Sequence, residues 1–139
     1  RNSGVGADTE TGLVAAAIAA MARAYAPYSR FPVGAAIRDE TGAIHIGANV
    51  ENAAYPVGNC AEASAIAAMV MAGGTRIAEI AVAGGDGGML CTPCGACRQR
   101  IREFAEADTP VLVCGPEGLM RRFTLGELLP ESFGPENLG

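Results

Sequence analysis

Apolar and polar positions along the 139-residue chain change period several times, and each change marks an element. From Thr9 to about Ala24, Ala, Leu, Val, Ile and Met recur at helical spacing, which predicts an amphipathic helix that Pro27 ends. Phe31 to Arg38 reads as a strand and Asp39-Glu40-Thr41-Gly42 as a turn. Ile44 to Val50 reads as a second strand, paired with the first in a hairpin. Tyr55-Pro56-Val57-Gly58 is a loop. Asn59 is a good N-cap before an Ala/Met/Val run, so a helix opens at Cys60 and stops at Gly73-Gly74. Ile77 to Ala83 suits a buried strand. Gly84 to Gly88 is a glycine-rich turn, and no Lys-Ser/Thr follows to make it a phosphate loop. Thr92-Pro93 is a second helix start, with Thr as cap and Pro first in a helix running to about Ala105. Val111 to Cys114 is another buried strand, and Phe123 to about Leu129 completes the core. The order β-β-α-β-α-β-β points to an α/β architecture, one mixed sheet with helices on both faces.

Length makes this one domain over residues 1–139, with 1–8 expected as a flexible tail or cloning remnant. Hydrophobic residues make up 50% and aromatics only 5%, so the core is Ala-rich and closely packed, and each aromatic invites a reason. The net charge of −5 and the lack of a basic run argue against binding nucleic acid or an anionic membrane. Leu13 to Ala22, followed by Arg23-Ala24-Tyr25-Ala26, imitates a signal peptide. Asp8 and Glu10 stand where one would carry positive charge, and the run is too short to span a bilayer. A reducing cytoplasm is the expected compartment.

Five cysteines, two of them spaced C-x-x-C, favour metal over disulfides in such a chain. Cys60-Ala61-Glu62 and Pro93-Cys94-Gly95-Ala96-Cys97 together offer three thiolates and one carboxylate. Three protein ligands around zinc leave a fourth position for water. Zinc lowers the pKa of that water from about 15.7 to about 7. Cys94 and Cys97 lie three apart, on one face of a first helical turn, and both helix starts point N–H groups at the thiolates. Glu62 is close enough to move protons without being a ligand. Two competing readings stand beside this one. Asn59-x-x-Glu62 is also the spacing of a capping box. Cys91, three residues before Cys94, would complete a closed four-cysteine structural site with Cys60, Cys94 and Cys97, making a non-catalytic zinc-stabilised module. Against the latter, it leaves Glu62 without a role. Cys91 and Cys114 otherwise read as small core residues, and His45 as lying on the polar face of its strand.

The cysteine pattern resembles the signature of zinc-dependent deaminases. The chain resembles the small, homotetrameric cytidine deaminases nearly throughout, in Tyr25-Ala26-Pro27-Tyr28-Ser29, Phe31-Pro32-Val33-Gly34-Ala35, Asn49-Val50-Glu51-Asn52-Ala53, Cys60-Ala61-Glu62, Pro93-Cys94-Gly95-Ala96-Cys97-Arg98-Gln99 and Phe133-Gly134-Pro135-Glu136. The resemblance implies a three-layer α/β/α fold and one zinc per chain on Cys60, Cys94 and Cys97, with Glu62 as proton shuttle. It implies hydrolysis of cytidine and 2'-deoxycytidine to the uridine nucleosides and ammonia, as in pyrimidine salvage. A related cytosine-type nucleoside, such as an aminonucleoside antibiotic, is the alternative substrate. It further implies that Asn49 and Glu51 hold the ribose hydroxyls and that Phe31 packs on the base. The N–H of Ala61 would bond O2, and the carbonyl of Thr92 would receive the amino group. Tyr55 and Phe133 would reach a neighbouring subunit's site. One position departs from the family. Most members carry Arg after Cys-Ala-Glu, where it bonds the cysteine sulfurs, and this chain has Ala63. Arg98, adjacent to Cys97, is the cation expected to take over that compensation.

Overall fold

The computed structural model describes residues 3–139. Its elements are α1 (Ser3–Met21), β1 (Val33–Asp39), β2 (Ile44–Ala48), α2 (Ala61–Met71), β3 (Ile77–Gly84), α3 (Gly95–Phe104), β4 (Pro110–Gly115), β5 (Gly118–Thr124) and α4 (Leu125–Leu128), with short 3-10 turns at Tyr55–Val57 and Pro135–Leu138. The strands form one sheet in the order β2-β1-β3-β4-β5. Only β3 and β4 run parallel; the other neighbours are antiparallel.

Strand alternation sorts the core into two layers. Ala35, Ile37, Ile80, Val82 and Val111 face one side, where Ala61, Ala65, Met69 and Ile101 of α2 and α3 cover them. Ala36, Ala81, Ala83, Leu112 and Cys114 face the other, under Leu13, Val14 and Ala17 of α1. Both faces of the central strands are therefore buried, which is why they read as unbroken apolar runs rather than as alternation. The small residues let helices sit close. A side chain on Gly34 would run into the backbone of α1 at Ala17 and Met21, and one on Gly47 into α2 at Ala61 and Ala65.

Several boundaries differ from expectation. α1 is already helical at Ser3, so the expected tail is part of a helix from that residue on. Arg1 and Asn2 lie outside the described residues. β1 starts at Val33 because Pro32 before it has no N–H to give a ladder. The segment from Phe123 to Leu129 is not a single closing strand. It contains the end of β5 and then α4, opened by a capping box in which Thr124 Oγ1 accepts from the Glu127 N–H at 3.2 Å and Glu127 Oε1 accepts from the Thr124 N–H at 2.7 Å. His45 is not on a polar face: its ring is largely buried and meets Asp39 Oδ2 at 2.7 Å. Among the described residues, no helix is long and apolar enough to cross a membrane.

Candidate metal centre

The N-terminal ends of α2 and α3 meet beside the β1–β3 end of the sheet, and the cysteines themselves are the caps. Cys60 is the N-cap of α2 and Cys94 the N-cap of α3, both in extended backbone conformation. Asn59 and Thr92 were the expected caps. Asn59 is instead tied into a bridge with Val50, and its side chain donates to Ser64 Oγ at 3.0 Å. The Asn59–Glu62 capping box is accordingly not formed, and Glu62 stays available. Thr92 and Pro93 lie before α3, not in it.

The sulfurs of Cys60, Cys94 and Cys97 all lie within 4.8 Å of one another. Around a tetrahedral zinc, with Zn–S about 2.3 Å, sulfurs sit about 3.8 Å apart, so the cluster matches this ion with only side-chain adjustment. Three soft thiols are also the donor set that zinc favours. Cys91 is not part of the cluster. Its sulfur packs over Gly84, 2.5 Å from where a Cβ there would stand, so the closed four-cysteine site does not form.

The three thiols differ electrostatically. Neither N-cap thiol closes a side-chain capping bond. The backbone N–H of Cys97 nonetheless holds the Cys94 thiol below its ordinary value, with help from Ala96. Burial pushes the Cys97 and Cys60 thiols up, and neighbouring Glu62 adds to this. A dication among the sulfurs removes that conflict. Glu62, second in α2 and 4% exposed, has its carboxyl pushed above the ordinary carboxylate range by burial, opposed by its own N–H, by Cys97 and by Arg100. A carboxyl so placed holds and releases a proton nearer neutrality.

Cys60, Cys94, Cys97 and Glu62 open into a cavity of about 270 Å³ that also contains Phe31, Asn49, Ala61 and Thr92, together with Ser29, Val33 and Cys91. The structure thus gathers five of the expected substrate and proton-transfer residues beside the thiols. Asn49 spans the rim: its Oδ1 accepts from the Val33 N–H at 2.8 Å and its Nδ2 donates to the Phe31 carbonyl at 3.0 Å. That fixes the stretch carrying the Phe31 ring. Glu51 and Tyr55 line an adjoining cleft that shares Ser29 with the cavity. The Glu51 carboxylate accepts from the N–H groups of Tyr28 and Ser29 at 2.9 and 3.1 Å and from the Ser29 hydroxyl, which together hold it well ionised. Ser29 is a site residue that single-residue reasoning missed, although it ends one of the quoted motif stretches. Phe133 is not in this chain's cavity. Gln99 Nε2 donates to its carbonyl at 2.9 Å on the outer side of α3, and its ring is 57% exposed.

Arg98 does not reach the sulfurs as expected. Its Nε donates to the Pro93 carbonyl at 2.7 Å, its Nη1 to the Leu128 carbonyl at 2.8 Å and its Nη2 to Thr92 Oγ1 at 3.2 Å. It clamps the loop before α3 onto α4. The guanidinium that meets a ligand sulfur is that of Arg100, whose Nη1 lies 3.8 Å from Cys97 Sγ.

With this geometry in view, comparison with known proteins is direct. Residues 8–113 match the family model described as the cytidine and deoxycytidylate deaminase zinc-binding region. A cytidine deaminase of Sporosarcina psychrophila is 42% identical over 126 residues, covering 91% of this chain and 92% of that protein. One of Mycobacterium tuberculosis is 41% identical over 119 residues, covering 86% and 85%. The crystal structure of cytidine deaminase from Burkholderia pseudomallei superposes with a TM-score of 0.82 at 42% identity, covering 88% of this chain and 97% of that one.

Proposed function

The chain belongs to the cytidine and deoxycytidylate deaminase family, and from that premise we propose that it hydrolyses the free nucleosides cytidine and 2'-deoxycytidine to uridine and 2'-deoxyuridine, releasing ammonia, as a step of pyrimidine salvage. The observation that carries this reading is the juxtaposition of three thiols within 4.8 Å with a buried Glu62 in one cavity. Cys60, Cys94 and Cys97 would hold zinc, which when bound would make water acidic enough to act as a nucleophile at neutral pH.

The remaining work falls to the chain. Glu62 takes a proton from the attacking water and delivers it to N3 of the pyrimidine as oxygen adds at C4; it then takes the remaining proton of the C4 hydroxyl and gives it to the amine, which departs as ammonia and leaves the C4 carbonyl. Its raised pKa supports such two-way traffic. Phe31 packs on the base at the cavity rim. The N–H of Ala61, free at the first position of α2, bonds O2, and the Thr92 carbonyl receives the amino group. Asn49 and Glu51 take the sugar hydroxyls. Asn49 keeps one amide hydrogen for this after bonding Phe31, and Glu51 is pre-set by Tyr28 and Ser29. No Lys or Arg lines the cavity or the adjoining cleft, and the Glu51 carboxylate of that cleft repels a phosphate ester.

Tyr55 and Phe133 are 75% and 57% exposed, which supports their crossing to neighbouring sites in a cytoplasmic homotetramer. The test is ultraviolet-monitored turnover of cytosine, cytidine, deoxycytidine, cytidine monophosphate, an aminonucleoside antibiotic and single-stranded DNA, with light scattering on the same sample. Turnover of the two nucleosides by a tetramer is expected. Comparable efficiency on the monophosphate would overturn the substrate assignment, and a fully active monomer would remove the shared site.

A further inference from the structure

Three thiolates around a dication carry one excess negative charge, and the Glu62 carboxylate lies in the same cavity. Donors to the sulfurs decide how much of that charge reaches the metal. The first-turn amides of α3 serve Cys94. Cys97 is buried at 1% exposure and is the third residue of α3. Ala63, next to Glu62, has no side-chain donor, and the three Arg98 contacts all go to oxygen. Arg100 stands three residues after Cys97 on the same helix, so both project from one face. Its Nη1 is 3.8 Å from Cys97 Sγ. Its positive charge also acts on Cys60 and Glu62.

We propose that Arg100 is the positioning residue that donates to the Cys97 thiolate and offsets the surplus charge of the metal centre, a role built here from α3. It is not among the residues lining the cavity, so it acts through Cys97 and not on the substrate. A guanidinium suits the task because it stays charged and presents several N–H donors in a rigid fork, one of which can be aimed at the sulfur.

The inference rests on the three-cysteine zinc site, and the test separates the two. Cobalt(II) is exchanged for zinc in the wild-type chain and in Arg100→Met, and the sulfur-to-cobalt charge-transfer band is recorded. Loss of the hydrogen bond leaves Cys97 more electron-rich, so the band should move to longer wavelength. Zinc should be held about tenfold more weakly in chelator competition. Arg100 is exposed on the helix surface, so the variant should fold. Arg100→Gln, which keeps some donor capacity, should move the band the same way by less and serves if the Met variant does not fold. A band unmoved in the variant that folds, or one that moves for Arg98→Leu and not for Arg100→Met, overturns the proposal. If the wild-type chain shows no thiolate band at all with cobalt, the three-cysteine metal site fails and this inference with it.

Discussion

Cys91 has the right type and spacing to be a fourth ligand, yet its sulfur is committed to the space above Gly84 at the end of β3. A Cys91→Ser chain should therefore retain one zinc per chain by metal analysis, whereas Cys97→Ser should lose it. Loss of the metal from Cys91→Ser would restore the closed four-cysteine reading. The gathering of Cys60, Cys94 and Cys97 beside Glu62 is legible in the sequence because the pattern couples residue type to spacing. Residue type does not say which arginine stands beside them; helix geometry does. Positions one apart on a helix do not face each other, and positions three apart do. Arg100, not Arg98, is therefore the neighbour of Cys97. The caps were misassigned for a related reason. Asn59 and Thr92 are better N-cap types than Cys, but contacts with Ser64 and Arg98 occupy their side chains, and Cys60 and Cys94 take the caps, which aims the first-turn amides at the thiol cluster.

At the level of elements, the site depends on how closely α2 approaches the sheet. Gly47 of β2 is the contact point: a Cβ there would stand 2.7 Å from the Ala61 carbonyl and from Ser64 Cβ, and would also meet the Ala65 nitrogen. These are mostly backbone atoms of the helix that carries Cys60 and Glu62, so they cannot rotate away. Gly47→Ala should lower stability by about 1–3 kcal/mol, read as a lower urea midpoint, and should weaken zinc retention by shifting Cys60. A variant with parental midpoint and zinc content would show that α2 is not held at this distance. The central strands and both site helices were readable because burial on two faces gives them distinctive runs. β5 was not: it is an edge strand with Arg121 and Arg122 in its middle, so its pattern does not look like a strand. The spacing Thr124-x-x-Glu127 is that of the capping box that opens α4. That short helix matters to the site, since its Leu128 carbonyl anchors Arg98 and through it the loop of Thr92 and Pro93.

Across the whole molecule, the sheet serves as a platform that brings two helix starts together. The thiol cluster, the buried Glu62 carboxyl and an aromatic rim face one cavity, while Tyr55 and Phe133 are presented outward. In the proposed tetramer those outward rings are covered by atoms of other copies, which is why they stand exposed on one chain. The claim on which everything else depends is that this cavity deaminates a nucleoside with Glu62 moving the protons. It is tested most directly by measuring ammonia and uridine released from cytidine by the zinc-loaded chain and by Glu62→Gln, each with its zinc content determined. The account predicts one ammonia per uridine from the wild-type chain, and a Glu62→Gln chain that keeps its zinc but turns over at least about 10²–10⁴-fold more slowly. A zinc-loaded wild-type chain that releases no ammonia, or a Glu62→Gln chain of undiminished rate, would contradict it.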